Sequence, residues 1–446
     1  MEIFKFGGTS VGEADSIRRV AEIIQTPSKK IVVLSANGKI TDVLSSMIDA
    51  IESKNFDQVE WEIHQFEQYY LTLITSLYRT EEQQSKALKL ITETKNTFYS
   101  FVNETLARTD KDYLITLGEL LSTRLFSYYL QENGLTHQLL LAKEMIFLDE
   151  TGRPDRTMIK ERVNQILEKH STTDLFITQG FICSQHDGQI ATLGRGGSDF
   201  TASLLGEAVN ASVIQIWSDV DGFLNNDPGF VRGALPLKYL SFDEAAELAY
   251  FGARVLHPST IYPAKESGIP VLLKNTKKPD NPGTVISEKR QSGDIKAVAA
   301  KDGIHSITIH SHQMLLAYGF LKKVFEIFEK YQTSVDMVTT SEVSVSVTID
   351  DTTSLKNILN DLNELGEVTY HNGLSLVCVV GDHLADNKGK VMEVFDALKE
   401  IPVKMISYGA AKNSIALLVE TKHKVAALES LNQIQHCPTE TTRNYV

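Results

Sequence analysis

Lys5 interrupts an apolar run, Ile3-Phe4-Lys5-Phe6, and is followed at once by Gly7-Gly8-Thr9-Ser10. An ammonium in such a strand is costly to desolvate unless an anion meets it, and a phosphate would be such an anion. Gly7 and Gly8 carry no Cβ to keep a phosphate away from backbone N–H groups, and a helix starting near Ser10 would add its positive end. The lysine precedes the glycines, so this is no Walker A loop. Alone, the segment reads equally well as a tight strand-to-helix turn with a surface lysine. A second loop, Leu193-Gly194-Arg195-Gly196-Gly197-Ser198-Asp199, leads into a small-residue helix. Its guanidinium matches a carboxylate in bidentate geometry, and Asp199 could orient substrate or manage charge around a reacting phosphate. The loop lacks the last glycine of a dinucleotide fingerprint. Ser35 and Thr41 follow another apolar run, Gly118-Glu119 lies inside a leucine-striped helix, and Asp219, Asp221, Asp227 and Pro228 sit in a stretch of turn composition. A glutamate on a helix face is ordinarily just solvated.

These residues need a frame. Apolar runs at 3–6, 31–36, 175–182, 212–217 and 270–274 alternate with helical patterns, which predicts an α/β fold. Ile31-Val32-Val33-Leu34 shows no polar alternation, so the strands should form a central, largely parallel sheet lying between helices. Residues from about 52 to 131 read as a helix-rich segment. Its last helix, near 112–131, carries Leu114, Leu117, Leu121, Leu125 and Tyr128 on one stripe and stops before Gly134.

With 446 residues the chain has room for about three domain-sized units. Lys plus Arg number 44 and Asp plus Glu 57, a net charge of −13 that argues against nucleic acid as a partner. Cys183, Cys378 and Cys437 are far apart and show neither a disulfide framework nor zinc spacing. No run of 18 apolar residues and no signal-like amino terminus is evident, so the expectation is a cytoplasmic protein that does not engage membrane.

Residues 275–296 are polar and carry Pro279 and Pro282, the composition of a connection between domains. Beyond them the sequence repeats at an offset of about 70 residues: Val324-Phe325-Glu326 returns as Val394-Phe395-Asp396, and Val335 to Val338 as Val403 to Ile406. Each copy reads strand, helix, strand, strand, helix, predicting two small α+β modules packed together.

In order along the chain, KFGGTS, SANGKITD, LGELLSTRL, TLGRGGSD, WSDVDG, NDP and FGARVLHP resemble the aspartate kinases of the amino-acid kinase family, of the monofunctional, lysine-sensitive type. The resemblance implies an amino-acid-kinase domain over 1–290 and ACT-like regulatory domains at 297–372 and 373–446. It implies ATP and L-aspartate as substrates, with magnesium carried on the nucleotide and no all-protein metal site. The product would be 4-phospho-L-aspartate, at the start of lysine, threonine and methionine synthesis. Lys5 and Asp199 would be catalytic. Lys5, Gly7, Gly8, Ser218, Asp219 and Arg254 would contact nucleotide, and Ser35, Thr41, Glu119, Arg195 and Ser198 would hold aspartate. Leu224, Gly229 and Arg254 depart from the family pattern, which keeps a catalytically silent amino-acid sensor as one alternative; a kinase for another acidic amino acid is a second, disfavoured by LGELLSTRL and the doubled module.

The first repeat resembles the lysine pocket of inhibited members through Met314, Gly319, Phe320, Leu321, Ser334, Val335, Asp336, Thr340, Ser341 and Glu342. An ammonium would suit Asp336 or Glu342. The second repeat has Lys404 where the first has Asp336, so one competent effector site per chain is expected. Exposed sheet edges in the repeats suggest a homodimer or homotetramer.

Overall fold

The computed structural model describes residues 1–252, 256, 258–289, 295–314, 318–384, 386–387 and 389–435. The chain divides into two compact units, one of Met1–Phe223, Lys238–Phe242 and Val255–Lys289, the other of Leu224–Leu237, Asp243–Arg254 and Arg290–Val446.

The first unit runs through β1 (Glu2–Phe6), α1 (Ala14–Ile23), β2 (Lys30–Leu34), α2 (Ile40–Glu52), α3 (Phe56–Leu77), α4 (Glu81–Phe101) and α5 (Arg108–Glu132). There follow β3 (Gln138–Leu139), α6 (Arg156–Lys169), β4 (Leu175–Gln179), a small hairpin of β5 (Ile182–Ser184) and β6 (Ile190–Thr192), α7 (Gly197–Ala208) and β7 (Val213–Ser218). After an excursion come β8 (Tyr239–Ser241), then α8 (Phe242–Tyr250), of which all but the first residue belongs to the second unit, and, again in the first, α9 (Tyr262–Glu266), β9 (Val271–Asn275) and β10 (Thr284–Ser287). Among the described residues eight strands form one sheet in the order β3-β4-β2-β1-β7-β9-β10-β8. All its pairings are parallel except β9 with β10. The α/β expectation is therefore met.

Every residue of β2 is buried, as a strand covered on both faces requires. Lys30 belongs there because its ammonium donates to the carbonyls of Ile24 at 3.0 Å and Thr26 at 2.6 Å, closing the carboxyl end of α1. The predicted helical segment is the α2–α5 layer, and its inward faces join β1, β2 and α1 in one apolar cluster. Asn55 and Thr80 start α3 and α4 by accepting from the N–H groups of Gln58 and Gln83. Gly118 lets α5 press against the loop after β2: a Cβ there would lie 2.8 Å from that of Ala36 and 3.2 Å from Leu44 Cδ1.

The second unit holds β11 (Ile295–His310), α10 (Phe320–Lys330), β12 (Val338–Thr340), β13 (Ser344–Ile349), α11 (Leu355–Asn363) and β14 (Glu367–Gly381), then α12 (Lys390–Ala397), β15 (Val403–Ser407), β16 (Ser414–Glu420) and α13 (Lys424–Gln433). Its strands form an antiparallel sheet in the order β12-β13-β11-β14-β16-β15. The repeated strand, helix, strand, strand, helix pattern is present. Beyond the sequence reading, the repeats interlock. Residues 304–310 of β11 pair with 367–374 of β14, while 295–302 pair with 375–381. Ile295 and Val298 accordingly lie in the core built by the second repeat, with Val394, Leu417 and Leu428, whereas Ile307 and Ile309 belong to the core of the first, with Val324 and Ile358.

Replacing Gly118 with alanine gains about 1 kcal/mol of helix propensity. The new methyl, however, meets another Cβ on a backbone-fixed loop rather than a yielding side-chain tip, and such overpacking costs about 1–3 kcal/mol. The expected outcome for Gly118→Ala is a net loss of stability, read as a lower urea midpoint with unchanged m-value.

Candidate active site

The carboxyl ends of the adjacent strands β4, β2, β1 and β7 carry most of the candidate residues, where an open α/β sheet presents its ligand crevice. Two glycine-bearing loops meet there. The N–H of Gly38 donates to Gly8 O at 2.9 Å, and a Cβ on Gly8 would lie 2.7 Å from Gly38 O. The loops are braced by residues the motif reading passed over: Asn37 Nδ2 donates to Val11 O at 2.6 Å, and Tyr69 on α3 donates its hydroxyl to Gly12 O at 2.7 Å. Asn37 lay within a recognised motif, but nothing in the helical pattern of α3 marks Tyr69.

Lys5 and Asp199 meet. The ammonium lies 2.7 Å from Asp199 Oδ1, and both side chains are only 12% exposed. Lys5 comes from β1 and Asp199 from the first turn of α7, which opens after Gly194 and Gly196, both at positive φ. A Cβ on Gly7 would be 3.7 Å from Lys5 Nζ, so the charged group sits directly beside the glycine turn. Ser198 is next to Gly180 at the end of β4, where any Cβ would come within 2.5 Å of the serine side chain. Phe181, with φ of +70°, is a non-glycine residue in a region that side chains rarely adopt. Its N–H donates to Thr201 on α7 at 3.0 Å.

Glu119 is not the solvated helix-face acid that its type suggests. It is 3% exposed; Oε1 accepts from the N–H of Ala36 at 3.2 Å, and Oε2 has no hydrogen-bond partner. Burial pushes its carboxyl up to about 7, with the Ala36 N–H pulling the other way. Gln179, at the end of β4, donates to Thr123 one turn along α5 and accepts from Ala142 N–H, tying helix to sheet. Ser35 is partly exposed just past β2, Thr41 is exposed in the first turn of α2, and Arg195 is exposed in the loop before α7. Ser218 ends β7, and the carbonyl of Asp219 accepts from Asn275 Nδ2 at 3.3 Å. Leu224 and Gly229 fall in the second unit, where Gly229 N–H donates to Asp227. Arg254 lies outside the described residues.

Within the second unit the effector candidates gather in the first repeat. Gly319, at φ of +82°, precedes α10; Phe320 is buried in that repeat's core, and Val335 packs against it. Leu321, Ser334, Thr340, Ser341 and Glu342 are exposed, and Met314 closes a short 3-10 turn. The side chain of Asp336 is buried and paired with Lys301.

A parallel α/β sheet with a lysine–aspartate pair between glycine loops at its carboxyl edge, followed by a doubled α+β module, defines a small-molecule phosphotransferase with a regulatory tail. Comparison with known proteins agrees. The sequence pattern of the amino acid kinase family matches residues 1–275, and that of the ACT domain matches residues 377–435. The chain belongs to the amino acid kinase family, in its aspartokinase branch. It is 36% identical to the lysine-sensitive aspartokinase 3 of Escherichia coli, over 96% of this chain and 98% of that one. It is 33% identical to the chloroplastic aspartokinase 1 of Arabidopsis thaliana, over 97% and 79%. The structure superposes on E. coli aspartokinase III in complex with aspartate and ADP with a TM-score of 0.84, at 33% identity, over 97% of this chain and 99% of that one. On the aspartate kinase of Clostridium acetobutylicum the TM-score is 0.83, at 28% identity, over 98% and 100%.

Between pH 4.5 and about 7 the folded chain keeps a proton on Glu119 that the unfolded chain has released. Stability therefore falls as pH rises through that window, by on the order of 3 kcal/mol in all. Glu119→Gln cannot titrate, so its stability relative to the unmodified protein should improve by on the order of 3 kcal/mol from pH 5 to pH 8. Urea melts at the two pH values read this directly, and a pH-independent difference would mean a solvated carboxylate.

Proposed function

We propose that the chain transfers the γ-phosphoryl group of ATP to the side-chain carboxylate of L-aspartate, and that lysine inhibits it. A carboxylate oxygen of aspartate attacks the γ-phosphorus, a P–O bond forms, the bond to the β,γ-bridging oxygen breaks, and ADP leaves with that electron pair. The nucleophile is already ionised at neutral pH, so no protein base is needed. Catalysis reduces to alignment and charge neutralisation.

The observation that carries this reading is the Lys5–Asp199 pair beside Gly7. Asp199 holds the ammonium at the carboxyl edge of β1, where it would meet the oxygens of the phosphoryl group in flight, and the Gly7 and Gly8 amides would approach the same oxygens. Ser218 and Asp219, on the adjacent strand β7 and its following turn, would contact the nucleotide. Glu119 suits the substrate's α-ammonium: its unpartnered, buried Oε2 lacks a donor, and a cation there would draw the carboxyl back to its ionised form. Arg195, Ser198, Ser35 and Thr41 border the same edge and would take the α-carboxylate. Among the described residues no group of three or more His, Cys, Asp or Glu is arranged to hold a metal ion. Magnesium carried by the nucleotide phosphates would supply charge neutralisation at the transferring phosphoryl group.

In the first repeat of the second unit, Asp336 and the backbone around Gly319 would take a lysine's ammonium and carboxylate. The flanking strands β12 and β15 end the six-stranded sheet and expose Val338 and Ile406, with Tyr408 exposed just past β15; such edges support association of the chain into a homodimer or homotetramer. No described helix is long and apolar enough to cross a membrane. Cys183 and Cys378 are buried free thiols, consistent with a cytoplasmic setting.

Incubation with MgATP and aspartate or glutamate, with hydroxylamine as trap, tests the reaction. Aspartyl hydroxamate is expected; glutamyl hydroxamate, or no product together with lysine binding, would overturn the assignment. Lys5→Met should lower kcat by about 10²–10³-fold while lysine binding, measured by calorimetry, stays unchanged.

A further inference from the structure

The second unit contains a buried charge cluster that the phosphoryl transfer does not use. Asp336, between α10 and β12, has a side chain only 2% exposed. Its Oδ1 accepts from the Tyr250 hydroxyl at 2.6 Å and lies 3.3 Å from Lys301 Nζ, while its Oδ2 has no hydrogen-bond partner. Lys301 is shared: its ammonium is nearer to Asp350 Oδ2, at 2.8 Å, and also stands 5.1 Å over the Tyr250 ring. Asp350 is 41% exposed. The N–H of Asp336 donates to Thr348 O at 2.8 Å, which fixes the residue against β13.

A carboxylate this deep should have both oxygens satisfied, and one is left over. The group that would complete it is a further cationic donor. Lys301 does not fill the role fully, because it leans toward the better-solvated Asp350. A second ammonium arriving at Oδ2 would repel Lys301 from Asp336, and Lys301 already has a carboxylate to receive it. The same groups can therefore be paired in two ways.

Resting on the reading of Asp336 as part of the lysine pocket, we propose that Lys301 is a built-in occupant of the effector's ammonium subsite. An incoming lysine takes Asp336, and Lys301 withdraws onto Asp350 and off the Tyr250 ring. Tyr250 is the last residue of α8, whose first residue belongs to the first unit. Occupancy of Asp336 is thereby reported to a helix that the chain joins directly to the catalytic unit.

The test uses full-length protein, calorimetry with L-lysine and with norleucine, which lacks the ε-ammonium, and the kinase assay. Lys301→Met should tighten lysine about five- to tenfold and leave norleucine unchanged. Asp350→Asn, at an exposed position, takes away the fallback and should weaken lysine about three- to tenfold, which keeps the proposal testable if Lys301→Met does not fold. Tyr250→Phe should bind lysine within about twofold of the unmodified protein yet lose inhibition at saturating lysine. Lysine affinity unmoved by both Lys301→Met and Asp350→Asn, with binding abolished by Asp336→Asn, overturns the occupant and leaves the pocket standing. Unaltered lysine binding in Asp336→Asn overturns the pocket itself.

Discussion

One ammonium held at the carboxyl edge of a parallel sheet organises the catalytic unit. The largely buried Lys5 ammonium near the end of β1 needs a counter-charge, and Asp199 supplies it from the first turn of α7. The requirement fixes much else. The turn into α7 must be tight enough to deliver the aspartate, hence glycines at positive φ before it. The loop after β1 must leave the ammonium accessible, hence the bare backbone of Gly7 and Gly8 beside it.

Holding charge in place by buried pairs makes the edge rigid, as phosphoryl transfer demands, since alignment is most of what the protein contributes. The glycine loops are accordingly pinned from behind by Asn37 and Tyr69. Glu119 is the exception. Its buried Oε2 has no hydrogen-bond partner, which costs stability once the carboxyl ionises.

The sheet and its helical cover were legible because unbroken apolar runs such as Ile31 to Leu34 admit few other environments, and the leucine stripe of α5 fixes its inner face. Lys5, Gly7, Gly8 and Asp199 stood out by type and spacing, and the structure brings Lys5 and Asp199 together. What the sequence hid depends on tertiary packing. Glu119 looks like any helix glutamate until Gly118 draws α5 onto Ala36. Tyr69 acts through a hydroxyl on an otherwise ordinary amphipathic helix. Asp336 shows its acidity in the sequence but not its partners, which come from positions 86 and 35 residues away.

The doubled module carries its own consequence. Because 295–302 of β11 completes the sheet of the later repeat while 304–310 of the same strand serves the earlier one, the later half is not a contiguous stretch of chain. During synthesis the opening strand must wait, unpaired, until some 80 further residues have emerged, a long-range closure of the sort that slows folding. A cut between the repeats would strand that segment without its neighbours, so a repeat that is plain in the letters cannot be separated by severing the polypeptide.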